Sequence, residues 1–416
     1  MVTSGSKILV GLMNFAAAVV VARQLGPEGR GSVAVALTLV LLLMQVANVG
    51  VATANPYFVA RHPEETGRLV ANTIAWSLAV GASLGALLVA VRAVLPGVLA
   101  GMPMPLVVVS ALAVPCGLAS VLLQSILLGE GRVSAYNGVE ALWAVAAVLL
   151  LLVVGALVRL SPTGALLVLA AQYPAASLTY LALLRRGIEP PRLDRALAVR
   201  VLRFGARVYL PTVLAFLVIR LDLLLVNSLL GRTQAGLYSV AVVIAQGLIV
   251  IPAAIATNLL PRVARGRLVD FSARVFRVVA VLYGALCLAV ALAAWPLVHW
   301  FFGARFGASL PMVLWLLPGT YALGMLSILS FHFAGSGYPR RATWIWAAGV
   351  VLNVALNLLL LPPYGTVVAS ITSTLTYVLM LGLHVRLFSG IDPPAPSLRP
   401  DLGEAWRVLA GIRRSR

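Results

Sequence analysis

Three ionisable side chains stand inside long apolar runs of this sequence: Glu140, Arg220 and Asp222. A charge in such a run costs several kcal/mol to bury, so these residues mark ion or substrate pathways, or the ion pairs that hold helices together. Arg220 suits an anionic substrate group, because the guanidinium fork matches carboxylate or phosphate oxygens in geometry as well as charge. Asp222 lies two residues further on, turned by about 200° on a helix. The two therefore reach different neighbours and do not pair along one face. Phe216, Leu217, Leu223 and Leu224 surround Arg220 at helical spacing, so its partners come from other helices, water or substrate. Asp222 and Glu140 are candidates for binding a coupling ion, H+ or Na+, or for gating. For all three the structural alternative is an ion pair or a packing contact between helices. Arg207, near the end of the same run as Arg220, is expected to snorkel to the interface.

Neutral polar residues in apolar runs add to this set. Asn14, Asn48 and Asn55 are assigned with Arg220 to a substrate cavity, and Asn353 and Asn357 share one helical face. The competing role for any of them is a hydrogen bond between helices, worth about 1 kcal/mol. Catalytic and metal chemistry have no footing. HExxH, CxxC, GxSxG and phosphate-loop patterns are absent, and His62, His299, His332 and His384 are scattered. Cys116 and Cys287 both lie in apolar runs and read as small buried hydrophobes. No cofactor is expected beyond a coupling ion, and the chain is not expected to be an enzyme.

The elements that position these residues follow from composition. Of the 416 residues 61% are hydrophobic and only 10% charged, with a mean hydropathy of +1.02. Lipid must be the solvent of such a chain, and within lipid the backbone can satisfy itself only as helices or a closed barrel. Unbroken runs such as Val33–Val46 and Ala144–Leu157 lack the alternation of barrel strands. The class is therefore an all-α polytopic membrane protein. About twelve runs approach the ~20 residues that cross the hydrocarbon core. The first six are placed at 5–22, 32–55, 69–92, 105–128, 133–157 and 163–184; the second six at 207–230, 236–259, 273–297, 309–333, 342–361 and 365–387.

A formal charge of +19 invites a nucleic-acid reading. The arginines form no single patch, however, and fall between apolar runs, as cytoplasmic loops facing anionic phospholipid do. Placing both termini in the cytoplasm leaves only Arg23, Arg30, Arg92, Arg159, Arg232 and Arg305 in outer segments. The glycines around Arg23, Glu28 and Arg30 are expected to make a tight turn.

The chain also repeats itself. Leu25-Gly26 with Gly31 matches Leu230-Gly231 with Gly236, at an offset of 205 residues. Gly129-x-Gly131 matches Gly335-x-Gly337, and Ala52-Thr53 through Arg61 resembles Ala256-Thr257 through Arg265. The same offset sets Asn14 opposite Ile219 and Arg220. Six spans per repeat give two halves of one orientation, related by a pseudo-twofold along the membrane normal with a cavity between them. The domains expected are a six-helix lobe at 1–190, an amphipathic cytoplasmic linker at 191–206, a second lobe at 207–388 and a basic tail at 389–416. In the linker Leu193, Leu197, Val201 and Phe204 form an apolar stripe suited to the inner membrane surface.

Ala22-Arg23-Gln24-Leu25-Gly26-Pro27-Glu28-Gly29-Arg30-Gly31 resembles the opening signature of the polysaccharide biosynthesis (oligosaccharide flippase) family of the multidrug/oligosaccharidyl-lipid/polysaccharide exporter superfamily. Asn48-x-Gly50 with Asn55, Phe302 to Ala308, Leu317-Pro318-Gly319 and Gly335-Ser336-Gly337 fit the same family. The resemblance implies two six-helix lobes in a V that open alternately to either side. It implies a lipid-linked oligosaccharide, normally on undecaprenyl pyrophosphate, as cargo moved between leaflets of a bacterial cytoplasmic membrane for surface-polysaccharide assembly. Arg220 would then meet the pyrophosphate. The chain departs from the lipid II flippases of that superfamily, which carry several cavity arginines and two further helices. Partners implied are anionic phospholipid, polysaccharide-assembly enzymes and no nucleic acid, with a monomer as the working form. The readings weighed against this are a drug or cation antiporter of the related extrusion family and a membrane polymerase or glycosyltransferase. Arg220 argues against the antiporter. Outer loops of about ten residues leave little room for an enzyme's site.

Overall fold

A computed structural model describes residues 2–95, 101–185, 192–257, 269–335, 338–391, 397–401, 403 and 406–407. The third repeat pairing ends at 256–265 and the second at Gly337, so both run outside the described residues, as do the side chain of Arg207 and most of the basic tail. Among the described residues the regular elements are helices and helical turns, with no strand.

The long helices are α1 (Val2–Asn48), α2 (Val51–Arg61), α3 (Thr66–Val94), α4 (Met104–Gly129), α5 (Val133–Leu157), α6 (Pro162–Leu184), α7 (Arg195–Leu230), α8 (Arg232–Thr257), α9 (Val269–Leu292), α10 (Leu310–Gly335), α11 (Arg340–Tyr364) and α12 (Val367–Ile391). Between α9 and α10 the chain makes short turns, including a π-helical one at Leu297–Phe302. Among the described residues, eleven helices are long and apolar enough to cross a bilayer. The first, Gly5–Asn48, has 44 residues, or about 66 Å of helix against a core of about 30 Å. Gly26 interrupts it with φ 67 and ψ −174, followed by Pro27. A positive φ is accessible to glycine without strain, and proline starts a new helical stretch well. The stretch is therefore two crossings, which brings the expected twelve.

Two departures from the expected spans have local causes. The second crossing, expected over 32–55, breaks at Val49 (φ 45) and Gly50 (φ 79), and α2 begins anew there. Asn48 bridges the break, its Oδ1 accepting from the Ala52 amide at 2.9 Å. The stretch expected as linker followed by seventh span is one uninterrupted helix, α7. Asp194 caps it, with Oδ1 accepting from the Leu197 amide at 2.9 Å.

Residues Met1–Ser239 and Val240–Arg416 form two compact units. In the first, α4 is central: Leu118, Leu122 and Ile126 are fully buried and pack with Leu69 and Val70 of α3 and Val59 of α2. In the second, α10 packs on α9 and α12, and α11 on α12. Asn353 and Asn357 of α11 are buried there. Asn353 Nδ2 donates to Ser373 Oγ at 3.2 Å, and Thr372 Oγ1 donates to Asn357 Oδ1 at 3.2 Å. Leu112, Leu157, Leu178, Leu292 and Leu359 are exposed, as a lipid-facing surface requires and a water-facing one would not.

Candidate functional site

The sequence-selected charges fall into three settings, all within the first unit. Arg220 lies midway along Tyr209–Leu230, the membrane-length part of α7. It is half-buried, with its guanidinium carbon 5.7 Å from the centroid of the Phe216 ring one turn earlier. That ring face favours a cation over it. Tyr173 of α6 is also within electrostatic reach of Arg220. A guanidinium fork matches the oxygens of a carboxylate or phosphate in geometry as well as charge.

Asp222 points elsewhere, as its angular offset from Arg220 requires. It is 2% exposed. Oδ2 accepts from the Tyr238 hydroxyl of α8 at 2.5 Å, and Oδ1 from the Leu223 amide at 2.7 Å. Tyr238 is fully buried. A signal for this pair was present in the sequence: both residues stand eight positions from Leu230, so an α7–α8 hairpin brings them to one depth.

Glu140 of α5 meets Lys7 of α1, the one lysine of the chain, with Oε2 and Nζ 2.5 Å apart. Lys7 also donates to the Tyr136 hydroxyl, and the buried Tyr180 of α6 stands within reach of Glu140. About a third of each charged side chain is exposed. Nothing local in the sequence pointed to Lys7, 133 residues away. The cluster ties three helices close to the N-terminal end of α1.

The asparagines assigned with Arg220 have separate settings. Asn14 is exposed on α1. Asn48 spans the α1–α2 break. Asn55 is fully buried: its Nδ2 donates to Ser125 Oγ at 3.1 Å, to the Leu122 carbonyl at 3.3 Å and to Thr73 Oγ1 at 3.5 Å. It thereby cross-links α2, α3 and α4. Its Oδ1 has no hydrogen-bond partner, and the residue lines a pocket of about 260 Å³ with Asn72, Thr73 and Trp76 of α3 and Val201 of α7. That volume is below the usual range for a drug-sized ligand and cannot hold an oligosaccharide.

The amphipathic start of α7 forms one wall of this pocket. Leu197 and Val201 are buried and Phe204 stacks on Tyr57, ring centroids 4.7 Å apart. The apolar stripe expected on the membrane surface is thus largely packed against α2 and α3, with Leu193 exposed. Polar contacts fasten it: Arg200 to Glu65 at 2.8 Å, Arg68 to Asp194 at 3.3 Å, and Asn72 Nδ2 donating to the Asp194 carbonyl at 2.7 Å. The Leu197 amide, aided by Arg68, holds the Asp194 carboxyl below the usual carboxylate range. No three His, Cys, Asp or Glu side chains come together to hold a metal ion among the described residues.

The model of the polysaccharide biosynthesis protein family matches residues 1–267, well over half of the chain. The chain belongs to the polysaccharide biosynthesis protein family. No curated protein matches this family member. Its fold is shared by solved transport proteins. An inward-facing multidrug resistance MATE transporter of the MOP superfamily aligns with a TM-score of 0.74 and 15% identity, over 98% of this chain and 96% of that one. The lipid II flippase MurJ, in an inward closed conformation, aligns at 0.72 and 11%, over 99% and 91%. A MOP transporter from Pyrococcus furiosus, described as having a binding pocket of reverse polarity, aligns at 0.63 and 15%, over 93% and 95%. At these identities the likeness establishes the fold: a multi-pass helical membrane protein of transporter architecture.

Proposed function

We propose that this family member is a flippase. It carries a lipid-linked oligosaccharide, on a carrier of the undecaprenyl-pyrophosphate type, across a bacterial cytoplasmic membrane by alternating access. The observation that carries the reading is the family match over residues 1–267; a fold shared with a protein named as a lipid II flippase supports it. Arg220 supplies the cation that a pyrophosphate headgroup needs at mid-depth, with Asn14, Asn48 and Asn55 as neutral contacts on its route. Asp222 and Glu140 serve coupling, by H+ or Na+, or gating. Both termini face the cytoplasm, where the basic segments meet anionic phospholipid. The chain works as a monomer alongside polysaccharide-assembly enzymes, moving its cargo without covalent chemistry.

The MATE likeness favours a second reading, a drug or cation antiporter. Purified protein in liposomes with an imposed proton or sodium gradient separates the two. A fluorescent undecaprenyl-pyrophosphate oligosaccharide should change leaflet, and a cationic dye should not be extruded. Dye extrusion without lipid movement would replace the flippase reading by the antiporter.

A further inference from the structure

Arg30 stands one turn into the second crossing, just past Gly26 and Pro27, and is only 5% exposed. No ion pair or hydrogen bond reaches its guanidinium among the described residues, and its Nε is sealed from solvent without an acceptor. Burying an arginine without a counter-charge is strongly unfavourable. The helical stretch that begins at Pro27 also directs its positive dipole end at this turn.

The neighbours do not neutralise it. Glu28, the acid of the same turn, is held by Arg232 at 2.7 Å. Arg232 runs alongside Gly101 of the α3–α4 loop, and in the same region Arg92 donates from Nε to the Met102 carbonyl at 2.9 Å. Among the described residues, Arg30, Arg92 and Arg232 thus share one edge with one carboxylate, that of Glu28. From Gly5 to Gly26 the first crossing rises about 32 Å, one hydrocarbon thickness, which sets this edge at the level of lipid headgroups.

We propose that Arg30 is the centre of a phosphate-oxyanion site at the membrane surface where α1 turns, separate from Arg220 and independent of the transport reading. The guanidinium fork, the dipole and the flanking arginines fit a phosphate group in charge and geometry. That group belongs either to a lipid headgroup or to a phosphate compound from water.

Thermal unfolding of the full chain in lipid nanodiscs tests this. One arm adds inorganic pyrophosphate to phosphatidylcholine discs; the other replaces part of the phosphatidylcholine with phosphatidic acid. A ligand that binds the folded state raises the midpoint. Wild type should rise in at least one arm. R30Q should lose the rise, R30K should keep part of it, and R159Q, which removes an exposed arginine of the α5–α6 loop, should keep it whole. Apparent affinity should fall about tenfold or more in R30Q. A response to pyrophosphate alone assigns a water-borne phosphate; a response to phosphatidic acid alone assigns a lipid. Without either probe R30Q should melt no earlier than wild type, because it removes a buried charge that no protein group balances. The site is overturned by a flat wild-type response in both arms, by an equal rise in R30Q, or by an R30Q that is unstable without any probe.

Discussion

Gly31 of α1 and Gly236 of α8, equivalent positions of the two sequence repeats, meet backbone to backbone. A Cβ on Gly31 would lie 2.8 Å from the Gly236 amide nitrogen, and a Cβ on Gly236 would lie 3.0 Å from that of Gly31. The Arg232 and Pro27 carbonyls crowd the same two positions. The contact explains why the motif recurs with glycine at its end: two helices approach here more closely than any side chain allows.

Gly31→Ala and Gly236→Ala should therefore each destabilise the protein by about 1–3 kcal/mol, the usual cost of overpacking. The double substitution should cost less than the sum, since either change already parts the same backbones. Thermal unfolding of the four proteins in one detergent checks both statements. Full additivity would mean that the two glycines do not act through a shared contact.

Asn55→Ala removes the hydrogen bonds that join α2 to α3 and α4. A loss of about 1–3 kcal/mol is expected, together with faster hydrogen exchange at α2. An unchanged exchange rate there would show that apolar packing alone holds the helix.

How much of this was legible in the sequence depends on the range of the interaction. Val133–Leu157 and Pro162–Leu184 were readable because lipid demands a helix of fixed length and composition, whatever the rest of the chain does. The Gly26 turn was readable from its glycine and proline. The break at Val49 and Gly50 was missed because one glycine in an apolar run says little without its tertiary contacts: a Cβ on Gly50 would collide with Gly205 of α7. The site charges were found by their rarity, but their partners were not. Tyr238 could have been paired with Asp222 by depth. Lys7 could not have been paired with Glu140, because which face of α1 meets α5 is decided by packing rather than by spacing.

Lys7 and Glu140 are each about one-third exposed, so their attraction is screened. A double-mutant cycle with Lys7→Gln and Glu140→Gln should give a coupling of no more than about 1 kcal/mol. If Glu140 serves coupling or gating, Glu140→Gln should slow transport far more than so small a stability loss explains. Equal effects on both would reduce the pair to a helix fastener.

Asp194 sets a pH dependence. Its folded-state pKa lies below the usual value, because the Leu197 amide and Arg68 favour the carboxylate. Its contribution is complete above the ordinary carboxylate pKa and fades as pH falls through the lowered one. At neutral pH Asp194→Ala should lower the melting midpoint more than Asp194→Asn, which keeps an acceptor for the cap. In strong acid the difference between wild type and Asp194→Asn should shrink. A difference that grows on acidification would contradict the assignment.

In the flippase proposed above, Arg220 meets the anionic headgroup of a lipid cargo as it crosses the bilayer. The direct measurement is the rate at which a fluorescent undecaprenyl-pyrophosphate oligosaccharide changes leaflet in liposomes, read by a membrane-impermeant quencher. Wild type should move the lipid, and Arg220→Ala, folded and inserted to the same extent, should be slower by about tenfold or more, the loss expected on removing a charge-assisted contact. Movement at the wild-type rate in Arg220→Ala would contradict the anion site, and no movement by wild type above protein-free liposomes would contradict the flippase itself.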